Sequence, residues 1–252
     1  MQSSSRILTA LTFGALTHGA FALGVGLMIY HLFFGLSESW GTVPYPFAYL
    51  ANALLILQFP LLHSFLLTGR GRKILALIGP DERLATTHYA LIASLQLALT
   101  FAFWSPSGVI LWQAEGVVFW VMSALYATSW ALLGLSIIQS GFQLQSGMLG
   151  WFAMLHDKAP KFPDMPTHGF YRIIRQPIYV SFAFTLWTMP TYTPDQLVLA
   201  VAWTIYCVVA PLHKERRFTT IYKDRFRRYQ SRVPYVLPFP RKTKSDAPDS
   251  PQ

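Results

Sequence analysis

The chain has 252 residues, of which 53% are hydrophobic and only 12% charged, about half the charge of a soluble domain. This excludes a soluble globular protein and indicates an integral membrane protein. A formal charge of +9 would suit nucleic acid, but in so apolar a chain it reads as positive-inside loops, and no nucleic acid partner is expected. The single cysteine, Cys207, lies inside an apolar run, leaving no intramolecular disulfide and no cysteine-based metal site; no metal is expected.

Residues 1–6 are polar, with Arg6 the one cation. An apolar run from Leu8 to about Leu36 follows, interrupted by His18 and His31. Ala20-Phe21-Ala22 resembles a leader-cleavage site, but the run continues well past it, as expected of an uncleaved span. After Ser37-Glu38-Ser39 a second span is expected over Pro46 to Leu67. A basic loop containing Arg70, Arg72, Lys73 and Arg83 comes next. The third span covers about Ala85 to Trp104. The loop from Ser105 to Gly116 has no Lys or Arg, and the fourth span covers Val117 to Ile138.

Residues 139–177 are more polar and rich in Gly and Pro, with Trp151 and Phe152 suggesting an interfacial segment. Two runs follow, Ile178 to Thr193 and Gln196 to Leu212, split by Thr193-Pro194-Asp195. Each gives roughly 24 Å of helix, short of a hydrocarbon core of about 30 Å, so the pair reads as a short or tilted helical hairpin. Beyond Lys214 the chain is strongly basic. Arg225, Arg227, Arg228 and Arg232 are expected to contact anionic lipid headgroups, and 241–252 reads as a disordered tail.

With six crossings and the N-terminus inside, the inside segments are 1–7, 69–84, 139–177 and 213–252. All 20 Lys and Arg residues fall in them. The expected fold is therefore an all-α integral membrane protein of about six transmembrane segments, with both termini cytoplasmic and a cytoplasmic C-terminal site. A bacterial inner membrane is the expected location.

That site is marked by polar boxes at the ends of the hairpin: Arg175, Gln176 and Tyr179 around Pro177, and Glu215 with Arg216 where the chain returns to water. An ionised Glu at the mouth of an apolar segment is costly unless something holds it. Arg175-Gln176-Pro177-Ile178-Tyr179, Glu215-Arg216 and Tyr229 to Pro234 resemble the C-terminal signature of the membrane methyltransferases, which include isoprenylcysteine carboxyl and phospholipid N-methyltransferases. Leu62-His63-Ser64, Glu82-Arg83, Tyr89 to Ser94, Phe103-Trp104 and Gly169 to Arg172 are similar to the branch of methanethiol S-methyltransferases and NnrU-like proteins. The resemblance spans about residues 55–240. The sequence departs from the family pattern at Gln176 (His), Ser181 (Gly), Lys214 (the first Glu of a Glu-Glu pair), Lys223 (Gly) and Phe226 (Tyr).

The apolar runs give a four-span region over 1–138, and the resemblance implies a methyltransferase-like, cofactor-binding hairpin region over 139–240. It implies S-adenosylmethionine as cofactor and a small thiol or a lipophilic molecule as acceptor. Arg175 suits the cofactor's carboxylate, Gln176 adds a donor, and Glu215 suits its ammonium or else pairs with Arg175 to tie the hairpin ends. Tyr171, Tyr179 and Tyr229 suit the adenine. For a thiol acceptor the thiolate is the nucleophile; Arg216 or Arg217 would hold it, and His63, His168 or His213 would take the proton. Other readings are a carboxyl or phospholipid-amine acceptor, a non-catalytic member, or a haem- or redox-associated protein using His31, His63 or His88.

Overall fold

The protein is described from a computed structural model covering residues 3–239; the expected disordered tail, 241–252, lies outside the described residues. Among the described residues five helices are long and apolar enough to cross a membrane. They are α1 (Ser3–Phe33), α2 (Phe47–Leu66), α4 (Ala85–Phe103, entered through a 3-10 turn at Glu82–Leu84), α5 (Gly116–Gln145) and α8 (Pro194–Arg232). Shorter helices lie between them: α3 (Gly69–Leu77), α6 (Met148–Leu155) and α7 (Pro177–Thr185). Strands β1 (Trp112–Gln113) and β2 (Thr191–Tyr192) pair antiparallel, Trp112 opposite Tyr192.

Apolar faces alone do not order helices in lipid, so close packing and polar contacts carry the assembly. α1 lies directly on α4: a Cβ on Gly24 would fall 2.5 Å from the Ser94 carbonyl. α2 and α4 are joined by side-chain amides. Gln96 Nε2 donates to the Gln58 side-chain oxygen at 2.7 Å, and Gln58 Nε2 donates to Thr100 Oγ1 at 2.8 Å. Where α2 begins and α4 ends, the Asn52 amide donates to the Ser105 carbonyl (2.8 Å) and accepts from its backbone N–H (3.0 Å). The apolar centre gathers around Trp203, whose indole donates to the Ile56 carbonyl at 3.1 Å and packs against Phe59, Phe101 and Phe182.

The last two expected runs differ from what forms. α7 spans 9 residues and stops at Thr185, far short of Thr193. Its end is fixed from outside: the Gln196 side-chain amide donates to the Leu186 carbonyl, and the backbone at 191–192 is taken by β1. Thr193, read as part of the split between the two runs, caps α8 by accepting from the Gln196 N–H at 3.0 Å, with Pro194 in the first turn. The Asp195 carboxylate then accepts from Trp104 Nε1 (3.1 Å) and the Ser107 N–H (2.9 Å), clasping the loop after α4 to the start of α8.

α8 does not end near Leu212 but runs to Arg232, a helix of 39 residues. Past the apolar layer the helix keeps its backbone hydrogen bonds apart from the one that Pro211 cannot donate, and the charged half keeps a buried face through Glu215 and Phe226. One break interrupts it, at Lys223, with φ +46° and ψ −123°. α5 likewise runs on past Ile138 to Gln145, with a break at Gly141 (φ +103°), where Pro163 packs. The segment after it is docked rather than free. α6 packs on α1 and α4, with the Trp151 N–H on Thr87 Oγ1 (2.9 Å) and its indole on His18 (3.1 Å). Asp157, just beyond, pairs with Arg6 at 2.7 Å and Arg83 at 2.9 Å.

Candidate active site

The site forms where the start of α7, the middle of α8 and the 3-10 turn Gly169–Arg172 meet. Arg175 and Glu215, forty positions apart, form a buried two-point pair: Nε donates to Oε1 at 2.8 Å and Nη2 to Oε2 at 3.1 Å. The remaining arm, Nη1, donates to the Val233 carbonyl at 2.6 Å, and the Tyr235 ring lies 5.4 Å from the guanidinium carbon. Gln176 Nε2 and Gln230 Nε2 each donate to Glu215 at 2.8 Å. Of the two roles open to Glu215 in the sequence, the structure shows the tie between the hairpin's ends. Pairing of this kind offsets the desolvation of both charges.

The chain after α8 is drawn onto the same point. The Arg175 N–H donates to the Pro234 carbonyl at 2.9 Å, and the Tyr229 hydroxyl donates to the Tyr171 carbonyl at 2.6 Å. Burial, with Glu215 nearby, pushes the Tyr235 phenol up to about 12, so it stays protonated. Burial likewise raises the Tyr171 phenol.

Lys214 stands beside this pair. Its ammonium donates to Gln176 Oε1 at 3.3 Å and lies 5.9 Å from the ring centres of Tyr171 and Tyr179 and 5.4 Å from that of Phe218. These are cation–π distances. The cavity left among Tyr171, Gln176, Lys214, Phe218, Phe226 and Tyr229 is about 10 Å³, room for one water.

His63 belongs to a neighbouring cluster between α2, α4 and α8. Its Nε2 meets the Tyr89 hydroxyl at 2.6 Å, its ring stacks on Phe59, and Nδ1 is buried without a hydrogen bond. Ser64 and Tyr206 share a hydrogen bond at 3.3 Å. Tyr206 and Arg217 lie within electrostatic range of both Tyr89 and Tyr179, which joins this cluster to the start of α7.

The sequence thus named most of the residues that converge: Tyr171, Arg175, Gln176, Tyr179, Glu215 and Tyr229. Arg216 is exposed, whereas Arg217 donates to the Leu67 carbonyl at the end of α2 (3.2 Å); a step of one residue turns a side chain about 100° around a helix. His168 and His213 are exposed. His31 sits against Tyr30 and Trp40, and His88 holds the Leu75 carbonyl at 3.0 Å, each in surroundings separate from those of His63. Sequence reading missed Gln230, Tyr235, Phe218, Tyr89 and Tyr206. Two of these carried a signal without a role: Gln230, next to Tyr229 in one quoted motif, and Tyr89, which opens another.

Fold and site together define a helical integral membrane protein with a buried, arginine-tied polar site at one end of its bundle. The chain is 29% identical to a methanethiol S-methyltransferase of Pseudomonas deceptionensis over 206 residues, 81% of this chain and 76% of that one. It is 30% identical to methanethiol S-methyltransferase 1 of Bradyrhizobium diazoefficiens over 198 residues, 77% and 68% of the two chains. It is also 26% identical to nurim of Xenopus laevis over 167 residues, 60% and 56% of the two chains. The chain belongs to the family that holds these methanethiol S-methyltransferases, within the membrane methyltransferase superfamily. No family model and no solved structure matches it.

Proposed function

We propose that the protein is an S-adenosylmethionine-dependent methyltransferase of the inner membrane, with a small thiol such as methanethiol as acceptor. In this reading the chain crosses six times, the α7 segment being the short crossing, and both termini face the cytoplasm. The observation that carries it is the convergence of Tyr171, Arg175, Gln176 and Glu215 on one buried point, in a chain whose relatives bear that activity in their names.

The residues suit the cofactor in kind. The Tyr171, Tyr179 and Phe218 rings already face a cation, Lys214, and would face a sulfonium as readily. Gln176 and Glu215 would serve its amino-acid end, with Arg175 orienting Glu215, and Tyr229 would flank the adenine. The bound cofactor supplies a methyl group made electrophilic by the sulfonium. The protein's part is placement and dehydration of the thiolate. His63 takes the acceptor's proton at the buried Nδ1, with Nε2 engaged by Tyr89, and Arg217 is the cation on the same side.

A second reading, a non-catalytic member of the family, is favoured by one observation: Lys214 occupies the aromatic face, leaving about 10 Å³ beside it. Incubation of the detergent-purified protein with methyl-labelled S-adenosylmethionine and methanethiol separates the two. Labelled dimethyl sulfide in the headspace, lost in His63→Ala, is the expected result. No cofactor binding by wild-type protein would overturn the catalytic reading.

A further inference from the structure

A separate groove adjoins the buried site, with a volume of about 420 Å³ and walls that include Thr167, Arg172, Arg225, Arg228, Tyr229 and Arg232. That volume is within the range of a small-molecule site. Asp164 pairs with Arg225 at 2.6 Å. Among the described residues Arg172, Arg228 and Arg232 have no ion pair. Guanidinium groups gathered around one hollow repel each other, and an anion with several oxygens relieves that repulsion while matching their planar, forked donors.

S-adenosylmethionine is a poor match, since it sets one carboxylate against an ammonium and a sulfonium and is a net cation. A phosphate matches. The flanks of the groove point to its source: Ile173 follows Arg172 and is 54% exposed, and Leu237 and Phe239, just beyond Val233, are 60% and 69% exposed. A guanidinium pocket rimmed by exposed apolar side chains is the arrangement that receives a headgroup with its acyl chains beside it.

We propose that the groove of Arg172, Arg225, Arg228 and Arg232 is a phosphate site that holds the headgroup of an anionic phospholipid. It is built independently of the methyl-transfer reading, because none of these arginines belongs to the buried pair or to the His63 cluster. A lipid held here would fix the exposed half of α8 against the loop carrying Asp164 and Thr167.

The test uses the full chain in nanodiscs of phosphatidylcholine with a minority of phosphatidylglycerol, with the retained lipid counted by native mass spectrometry after extraction into detergent. Wild-type protein is expected to retain phosphatidylglycerol selectively, and Arg228→Gln/Arg232→Gln to retain about tenfold less. Arg227→Gln, whose exposed side chain pairs with Asp224 outside the groove, is expected to retain as much as wild type. Unchanged retention in the double variant would overturn the proposal. So would displacement of the bound lipid by millimolar inorganic phosphate, which would make the groove a site for soluble anions. Loss of S-adenosylmethionine binding in the double variant, with lipid retention intact, would reassign it to the cofactor.

Discussion

Lys214 and Gln176 form a matched pair: the ammonium donates to the amide oxygen at 3.3 Å while the amide nitrogen donates to Glu215 at 2.8 Å. Both stand where the related signature has other residues, a glutamate and a histidine. The exchange is reciprocal, because a cation at 214 needs an acceptor at 176, which glutamine has and a protonated imidazole lacks.

The two positions should therefore respond together. Gln176→His alone leaves Lys214 without its acceptor and is expected to weaken the fold. Lys214→Glu with Gln176→His is expected to restore stability and to raise cofactor affinity, since the cation over the rings of Tyr171 and Tyr179 is gone. A double-mutant cycle on thermal unfolding in detergent should give a coupling of about 1–3 kcal/mol; a value near zero would mean that the two substitutions are unrelated.

Glu215→Gln leaves the Arg175 guanidinium buried without a counter-charge, and Arg175→Ala leaves the carboxylate so. Each is expected to cost about 3–5 kcal/mol, visible as a lower thermal midpoint before any ligand is added. Stability unchanged in either variant would show that the pair is not held as described.

Lys223 has φ +46° and ψ −123°, a conformation that suits glycine and strains any side chain bearing a Cβ. Lys223→Gly is expected to stabilise the protein by about 1 kcal/mol, despite the glycine's greater freedom when unfolded. The related signature has glycine at this position, which the break in α8 explains. A lowered midpoint would remove that explanation.

Tyr89 holds His63 at 2.6 Å. Tyr89→Phe keeps the ring and removes the hydroxyl, and is expected to lower methyl transfer about tenfold or more with little change in cofactor affinity. The pH–rate profile should shift with it, as a purely structural loss would not make it do. An unaltered profile with altered stability would make His63 a packing residue.

The membrane-crossing helices α1, α2, α4 and α5 were legible because apolar runs of sufficient length admit few alternatives. Arg175, Gln176 and Glu215 were legible because charges at the ends of apolar runs need partners. The shortness of α7 was not, since it depends on β2 meeting β1 and on Gln196 reaching Leu186, contacts that local pattern does not encode. Nor was the length of α8, where a dense series of Lys and Arg after Leu212 looks like a surface tail until Phe226 and Glu215 are seen to share a buried face. Lys214 read as a departure from a motif, and only its neighbours give it a role. Arg216 and Arg217 are equivalent in sequence and are separated by the turn of the helix.

The clasp at Asp195 and the tie at Glu215 lie on one unbroken stretch of α8, about 20 residues apart, or about 30 Å along its axis. The helix therefore acts as a measuring rod between two fixed points. One residue added to or removed from that stretch would swing Glu215 by about 100° away from Arg175, whatever residue was used. Side chains facing lipid there, such as Val198, Val201 and Ile205, are free to vary in identity, but their number is set by the distance between the two anchors.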